Sequence, residues 1–401
     1  GVQTCALPIL ALSKYSGNLG VMGYAVEGMM SSLGYTTRFA GTPCWPAGID
    51  AQNYDMGDMW CNDPEDMVKA KYIIIWGANP AWCSMHTMKY VYQAREKGAK
   101  VVVIDPLLTQ TAAKADLYLR VRPGSDGALA LGMARHLVDK GLVDQDFVNN
   151  YSHGYPEFEA YLRNSVTVEW AAEICGLSAD VIRQLAEEFT AVNPATVWIG
   201  YGMQRHVNGG ANVRAIDAFV AMTGNIGIEG GGARYGHLQT WGYNYHGMMQ
   251  KPPAGSVGMK GAGGPVGEFV SDSGEKSEFS DRALNINQTA QGILDASEPP
   301  VRMLWVASKN PFAQDFDRNK MIKAFEKLEM VVCVDQFFNE TVQHADIVLP
   351  VTTTFEQWDV SSSYWHYWLS VNEPAIKPLY ECKSDPEIAA LLSKTINKQI
   401  G

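Results

Sequence analysis

The stretch Tyr72-Ile73-Ile74-Ile75-Trp76-Gly77-Ala78-Asn79-Pro80 decides the fold. Five consecutive apolar residues, three of them β-branched isoleucines, read as a strand buried on both faces, as in a parallel sheet. Gly77-Ala78-Asn79-Pro80 breaks the run, a helical pattern follows to Lys97, and Gly98 closes it. A second apolar run at residues 101–104 ends in Asp105-Pro106. Strand, helix and strand at this spacing predict a βαβ unit.

The pattern returns as Met303-Leu304-Trp305-Val306-Ala307-Ser308-Lys309-Asn310-Pro311, then a helical stretch, then an apolar run at residues 331–334 and Asp335. Asp105 follows Asn79 by 26 residues, and Asp335 follows Asn310 by 25. Thr111 and Thr341 each lie 6 residues past their aspartate, and Asp116 and Asp346 each 11. Two half-sites in register predict an internal duplication.

Each half-site has the ingredients of a nucleotide cleft. Ligands of open α/β sheets bind beyond the carboxyl ends of strands. A small residue there lets the backbone approach a phosphate, and the next helix offers N–H groups to it. An aspartate ending the neighbouring strand can accept from a ribose. The competing reading is that Asn-Pro and Asp-Pro simply terminate strands.

Between the repeats, residues 126–190 read as helical, with Ser178 an N-cap. A strand over 196–199 leads into Gly200-Tyr201-Gly202-Met203-Gln204-Arg205-His206, and a helix runs on to Thr223 before Gly224-Asn225. Residues 230–264 are rich in glycine, aromatics, histidine and methionine, a long aperiodic loop of the kind that carries function. Residues 264–287 are polar and read as a surface insertion.

Composition narrows the class. The chain has 401 residues, 46% hydrophobic and 19% charged, with 38 glycines and a net charge of −11. It is neither disordered nor suited to nucleic acid as a main partner. No apolar run reaches the roughly 18 residues of a membrane span. The seven cysteines (Cys5, Cys44, Cys61, Cys83, Cys175, Cys333 and Cys382) form no C-x-x-C pair and no disulfide framework, so no zinc or iron–sulfur motif is visible. The opening residues 1–9 (GVQTCALPI) resemble a translated sequencing adapter and are set aside; any signal peptide then lies out of view.

Eight segments taken in order carry a family resemblance: IIIWGANPA, VVVIDP, LRVRPGSD, GYGMQRHVNG, MTGNIGIEGG, ASKNP, VVCVDQFFNETVQHADIVLP and KPLYECKSD. Together they resemble the catalytic subunits of molybdopterin oxidoreductases of the dimethyl sulfoxide reductase type. The resemblance implies an α/β fold of two Rossmann-like αβα domains. One would span residues 41–236; the other would be split between 10–40 and 237–395. The family's N-terminal iron–sulfur domain and C-terminal β-barrel are not in view. Members hold one molybdenum or tungsten between two molybdopterin guanine dinucleotides, matching two half-sites.

The resemblance also distributes roles. Cys44, in Thr42-Pro43-Cys44-Trp45-Pro46-Ala47-Gly48, stands where the family places its metal ligand, and thiolate is a soft ligand; a buried inert cysteine is the alternative, with Cys61 and Cys83 as competitors. Arg234 would hold an oxyanion near the metal, or be merely structural. His237 would serve as a proton source, with Trp241, Tyr243, Tyr245 and His246 lining a funnel or packing at an interface. Residues 364–368 (YWHYW) pose the same choice, with strand packing expected. Gly77, Asn79, Asp105, Thr111, Gly124 and Asp126 would bind one dinucleotide, with Asp126 accepting from guanine. Gly202, Gln204 and His206 would contact pterin or phosphate. Ser308, Asn310, Asp335 and Thr341 would serve the second dinucleotide.

The implied activity is two-electron reduction with removal of oxygen or sulfur from a small sulfur oxyanion, polysulfide, sulfoxide or N-oxide. The alternatives are an aromatic dehydroxylase, a non-redox hydratase on the same scaffold, or a cofactor-free structural subunit. Formate oxidation is disfavoured by the unmatched ligand motif. Electrons would arrive through a 4Fe-4S cluster in the N-terminal domain, with an iron–sulfur electron-transfer subunit and a membrane anchor subunit as partners. Relatives imply a periplasmic location or the outer face of the membrane, with the cytoplasm as alternative.

Overall fold

Side chains of a β-strand alternate between faces, and the YIIIW run uses both. Tyr72, Ile74 and Trp76 enter one core while Ile73 and Ile75 enter another. Fully burying each isoleucine contributes roughly 1.5–3 kcal/mol. The same alternation places Leu304 and Val306 on one face of the later strand and Trp305 and Ala307 on the other.

The computed structural model describes residues 7–17, 20–57, 61–236, 259–260, 279–362 and 364–400. Its strands, in chain order, are β1 (Leu10–Lys14), β2 (Thr37–Ala40), β3 (Tyr72–Trp76), β4 (Lys100–Ile104), β5 (Leu117–Leu119), β6 (Ala195–Ile199) and β7 (Gly232–Arg234). There follow the short pair β8 (Met259–Lys260) and β9 (Phe279–Ser280), then β10 (Arg282–Asn285), β11 (Met303–Ala307), β12 (Met330–Asp335) and β13 (Ile347–Pro350), and a last antiparallel pair, β14 (Asp359–Ser361) and β15 (Ser370–Asn372). The chain divides into two units. One comprises Cys44–Thr240 and Ser363–Tyr367; the other comprises Gly1–Pro43, Trp241–Ser362 and Trp368–Gly401.

The first of these units is built on a parallel sheet of order β5-β4-β3-β6-β7. Helix Met85–Glu96 carries the chain from β3 to β4, and the helices between Asp126 and Thr190 carry it from β5 to β6. Strand order therefore reverses between β3 and β6. Gly77 follows β3 and Gly200 follows β6, and a Cβ on Gly200 would lie 1.9 Å from the Gly77 carbonyl oxygen. Gly77 also has φ +64°, a left-handed value that glycine adopts without cost.

The second unit has a parallel sheet of order β10-β2-β1-β11-β12-β13. Its order reverses between β1 and β11. A cavity of about 330 Å³ opens beyond the carboxyl ends of these strands, with Lys14, Ser16, Gly17, Ser308, Asn310 and Asp335 in its wall.

One sequence expectation changes. Residues 282–285, assigned to a surface insertion, form edge strand β10 of the six-stranded sheet, because their backbone pairs in parallel with β2. In residues 364–368, where packing on strands was expected over a funnel lining, Trp365 is buried against Trp198 of β6, with ring centroids 4.9 Å apart. Ser178 caps its helix as expected, accepting from Val181 N at 3.3 Å. No helix among the described residues is long and apolar enough to cross a membrane.

Gly200→Ala should lower the urea midpoint by an amount equivalent to about 1–3 kcal/mol. Gly202→Ala, whose Cβ would meet its nearest neighbour at 3.7 Å, should leave that midpoint nearly unchanged. Equal tolerance of both substitutions would mean that the strand ends lie further apart than described.

Candidate functional site

The duplication holds atom by atom. Thr111 Oγ1 donates to Asn79 Oδ1 at 2.7 Å, and Thr341 Oγ1 donates to Asn310 Oδ1 at 2.5 Å. Ala81 N donates to Thr111 Oγ1 and Phe312 N to Thr341 Oγ1, both at 3.1 Å. Leu107 N reaches Asp105 Oδ1 at 2.8 Å, and Phe337 N reaches Asp335 Oδ1 at 2.9 Å. Val101 N and Val331 N bond Asp116 and Asp346 Oδ2 at 2.9 and 2.7 Å.

These bonds revise several expected roles. Thr111 and Thr341 are buried, and their hydroxyls are used on the neighbouring turn. They shape the cleft floor instead of facing a ligand. The N–H groups of Ala81 and Phe312, in the first turns of the helices that follow, are taken by those hydroxyls. Asn79 and Asn310 are half-buried and face the same threonines. Ser308 has φ +51° where the other half-site has Gly77. Both turns need the left-handed conformation, and serine adopts it at a cost of about 1–2 kcal/mol.

In the five-stranded unit, the predicted residues gather beyond β3, β4 and β6. A Cβ on Gly124 would lie 3.3 Å from His206 Nδ1, and the Gly124 carbonyl accepts from Asn208 Nδ2 at 3.0 Å. Gly202 and His206 are exposed. Asp126 Oδ1 accepts the Trp76 indole N–H at 2.9 Å, so this carboxylate also braces the end of β3. Burial pushes the Asp126 carboxyl up, opposed by Trp76 and His206. Burial likewise pushes Asp105 up, opposed by the Leu107 N–H and reinforced by Asp126.

In the six-stranded unit, Ser308, Asn310 and Asp335 line the cavity together. Sequence reasoning missed Lys14, Ser16, Gln336, Thr352 and Gln357, which also line it. Lys14 forms an ion pair with Glu27 at 2.8 Å. The signal for Lys14 was its place at the end of an apolar run, but pairing of β1 with β11 is not visible in one sequence.

Cys44 is half-buried and in no disulfide. Burial pushes its thiol up, opposed by the Arg205 guanidinium. Gln204, expected to contact pterin or phosphate, instead accepts from Gly48 N at 2.9 Å and donates to the Cys44 carbonyl. Trp45 stacks on Tyr201 with centroids 5.4 Å apart, and Tyr201 meets Tyr235 edge-on at 5.2 Å. Of the competitors, Cys61 donates its Sγ–H to the Gly236 carbonyl at 3.4 Å, and burial pushes it up to about 12. Cys83 is exposed and donates to the Asn79 carbonyl at 3.3 Å.

Arg234 sits otherwise than expected. It is 0% exposed. Nε donates to Thr196, Nη1 to the Asn62 and Asp63 carbonyls, and Nη2 to Asp66 and the Gly231 carbonyl. All five guanidinium N–H groups are thereby used inside the protein. It is a structural clamp with no donor left for a substrate. His237, Trp241, Tyr243, Tyr245 and His246 lie outside the described residues. Among the described residues, no three His, Cys, Asp or Glu side chains group to hold a metal ion.

The family model for molybdopterin oxidoreductase matches residues 16–395. A probable oxidoreductase of Bacillus subtilis, YyaE, is 32% identical over 97% of this chain and 54% of its own length. The dimethyl sulfoxide/trimethylamine N-oxide reductase of Cereibacter sphaeroides is 33% identical over 88% of this chain and 43% of its own. Acetylene hydratase from Pelobacter acetylenicus superposes with a TM-score of 0.67 at 21% identity, over 97% of this chain and 55% of that one. The chain thus spans about half the length of the curated relatives it matches.

Beneath the Cys44 loop, Gln52 Nε2 donates to Asp217 Oδ1 at 2.6 Å, while Asp217 Oδ2 and Gln52 Oε1 are buried without partners. Burial holds the Asp217 carboxyl well above its ordinary range, against the opposing Gln52 hydrogen bond. A folded-state value above the unfolded one means that unfolding releases a proton, so this group's contribution is lost as pH rises from about 4. Asp217→Asn should remove that loss. In urea titrations the variant should be at least as stable as the parent at neutral pH and gain nothing at pH about 4. A variant weaker only at neutral pH would show that Asp217 is ionised in the folded protein.

Proposed function

Because the chain belongs to the molybdopterin oxidoreductase family, we propose that it is the cofactor-holding part of a molybdenum or tungsten catalytic subunit. The reaction is two-electron reduction of a small substrate with loss of an oxygen or sulfur atom. The pair of matched half-sites carries this reading, since each unit's strand order reverses once, the place where open α/β sheets form a ligand crevice. A family built on two pterin guanine dinucleotides needs two such crevices.

The residues present fit such a group. Close approach of the strand ends at Gly77 and Gly200 removes side chains where a phosphate backbone would lie. Asp105, Asp126 and His206 supply polar atoms around that crevice. The cavity lined by Lys14, Ser16, Ser308, Asn310 and Asp335 supplies them in the other unit. Cys44 offers one soft ligand, and a metal there would draw its further donors from the cofactor.

A bound molybdenum or tungsten centre supplies two-electron redox chemistry. The chain holds and orients the cofactor and sets the polarity around it. Cys44 would hold the metal as a thiolate. Arg234 has no part in substrate binding. Sulfoxides and N-oxides lead the substrate classes, because reductases of these compounds stand among the similar proteins. Sulfur oxyanions and polysulfide follow, from thiol ligation. A 4Fe-4S domain, an electron-transfer subunit, a membrane anchor and a periplasmic location complete the proposal, on family grounds.

The test is metal and acid-released GMP per chain in the full-length protein, made in a host that synthesises the cofactor, with Cys44→Ala beside it. The expected result is about one metal and two GMP, as the bis-dinucleotide centre requires. The variant should keep GMP and lose sulfoxide or N-oxide reduction. Soluble protein with neither metal nor GMP would overturn the assignment and leave a structural subunit.

A further inference from the structure

Gln204 spends both ends of its amide on one short loop. Oε1 accepts from Gly48 N at 2.9 Å, Nε2 donates to the Cys44 carbonyl, and the side chain lies buried. The loop has little room to shift around this bridge. Trp45 is buried against Tyr201 and Tyr235. Tyr235 packs so tightly on Gly48 that a Cβ there would lie 2.0 Å from its hydroxyl oxygen. A Cβ on Gly210 would stand 3.1 Å from the Ala47 carbonyl oxygen. The helix that follows, Pro46–Met56, is held at its far end by the Arg214–Asp55 ion pair at 2.7 Å.

We infer that Gln204 is the positioning residue of Cys44: its amide ties the Cys44 carbonyl to the first turn of the helix and so fixes where the thiol can reach. The bridge needs a donor at one end and an acceptor at the other, which an amide supplies and a carboxylate or thioether does not. The significance of this position rests on the reading of Cys44 as metal ligand. The bridge itself does not depend on it.

The experiment uses full-length protein from a host that cannot make the cofactor. Labelling by 4,4′-dithiodipyridine is followed at Cys44 relative to the exposed Cys83, peptide by peptide, in the parent, Gln204→Glu and Gln204→Met. Loss of a hydrogen bond of about 1 kcal/mol should raise the Cys44 to Cys83 ratio about fivefold. Gln204→Met should show this rise at every pH. Gln204→Glu should show it at neutral pH, where the carboxylate has no proton for the Cys44 carbonyl. At pH about 4 the protonated acid donates and accepts as the amide does, and the ratio should return towards the parent value.

Ratios equal to the parent in both variants, or the same pH response in Glu and Met, would overturn the inference, because packing alone would then hold the loop. If Gln204→Glu is unfolded by circular dichroism at neutral pH, the Met variant and the low-pH ratio of the Glu variant decide. Should Cys44→Ala keep metal and activity while these ratios behave as expected, the ligand reading fails and the positioning role stands.

Discussion

Where the order of a parallel sheet reverses, two neighbouring strands send their chains in opposite directions and leave a crevice between their ends. In the five-stranded unit those strands are β3 and β6, and their ends nearly touch. The Gly77 carbonyl occupies the space that any side chain at position 200 would need. The candidate site in that unit depends on this contact. Parallel pairing brings the residues after β3, β4 and β6 to one edge, and this contact leaves no room for a side chain at position 200 there. The six-stranded unit repeats the solution between β1 and β11, where a Cβ on Gly17 would lie 3.2 Å from Ser308.

The turns beyond these strands are held by side chains that the crevice itself never exposes. Asn79 with Thr111, and Asn310 with Thr341, form the same pair of hydrogen bonds in both units. Buried polar groups without partners are costly, so an asparagine and a threonine that satisfy each other and a backbone N–H form a stable bracket. The bracket explains why these residue types recur at matched spacing. It also separates residues that build a cleft from residues that face one: Thr111 and Thr341 belong to the first kind, while His206 and Asp335 stand nearer the second.

Two polar side chains of the site region, Arg234 and Gln204, spend their hydrogen bonds inside the protein. Arg234 distributes five N–H groups among carbonyls, a hydroxyl and Asp66, joining the loop after residue 61 to β7. Gln204 distributes its amide between Cys44 and Gly48. Electrostatics at Cys44 follow from this framework: a half-buried thiol, pushed up by burial, with the Arg205 guanidinium opposing.

Periodicity, glycine placement and matched spacing were enough to read the βαβ units and their duplication. These are properties of a local chain, since a buried strand must be apolar on both faces and a left-handed turn favours glycine. Ordered motifs were enough to read the family. Partner choice was not legible. Whether Thr111 meets a ligand or Asn79, whether Arg234 meets substrate or Asp66, and whether residues 282–285 form an insertion or an edge strand all depend on groups distant in the chain. Hydrogen-bond donors are satisfied by whatever lies within about 3 Å, and only the tertiary structure decides what that is.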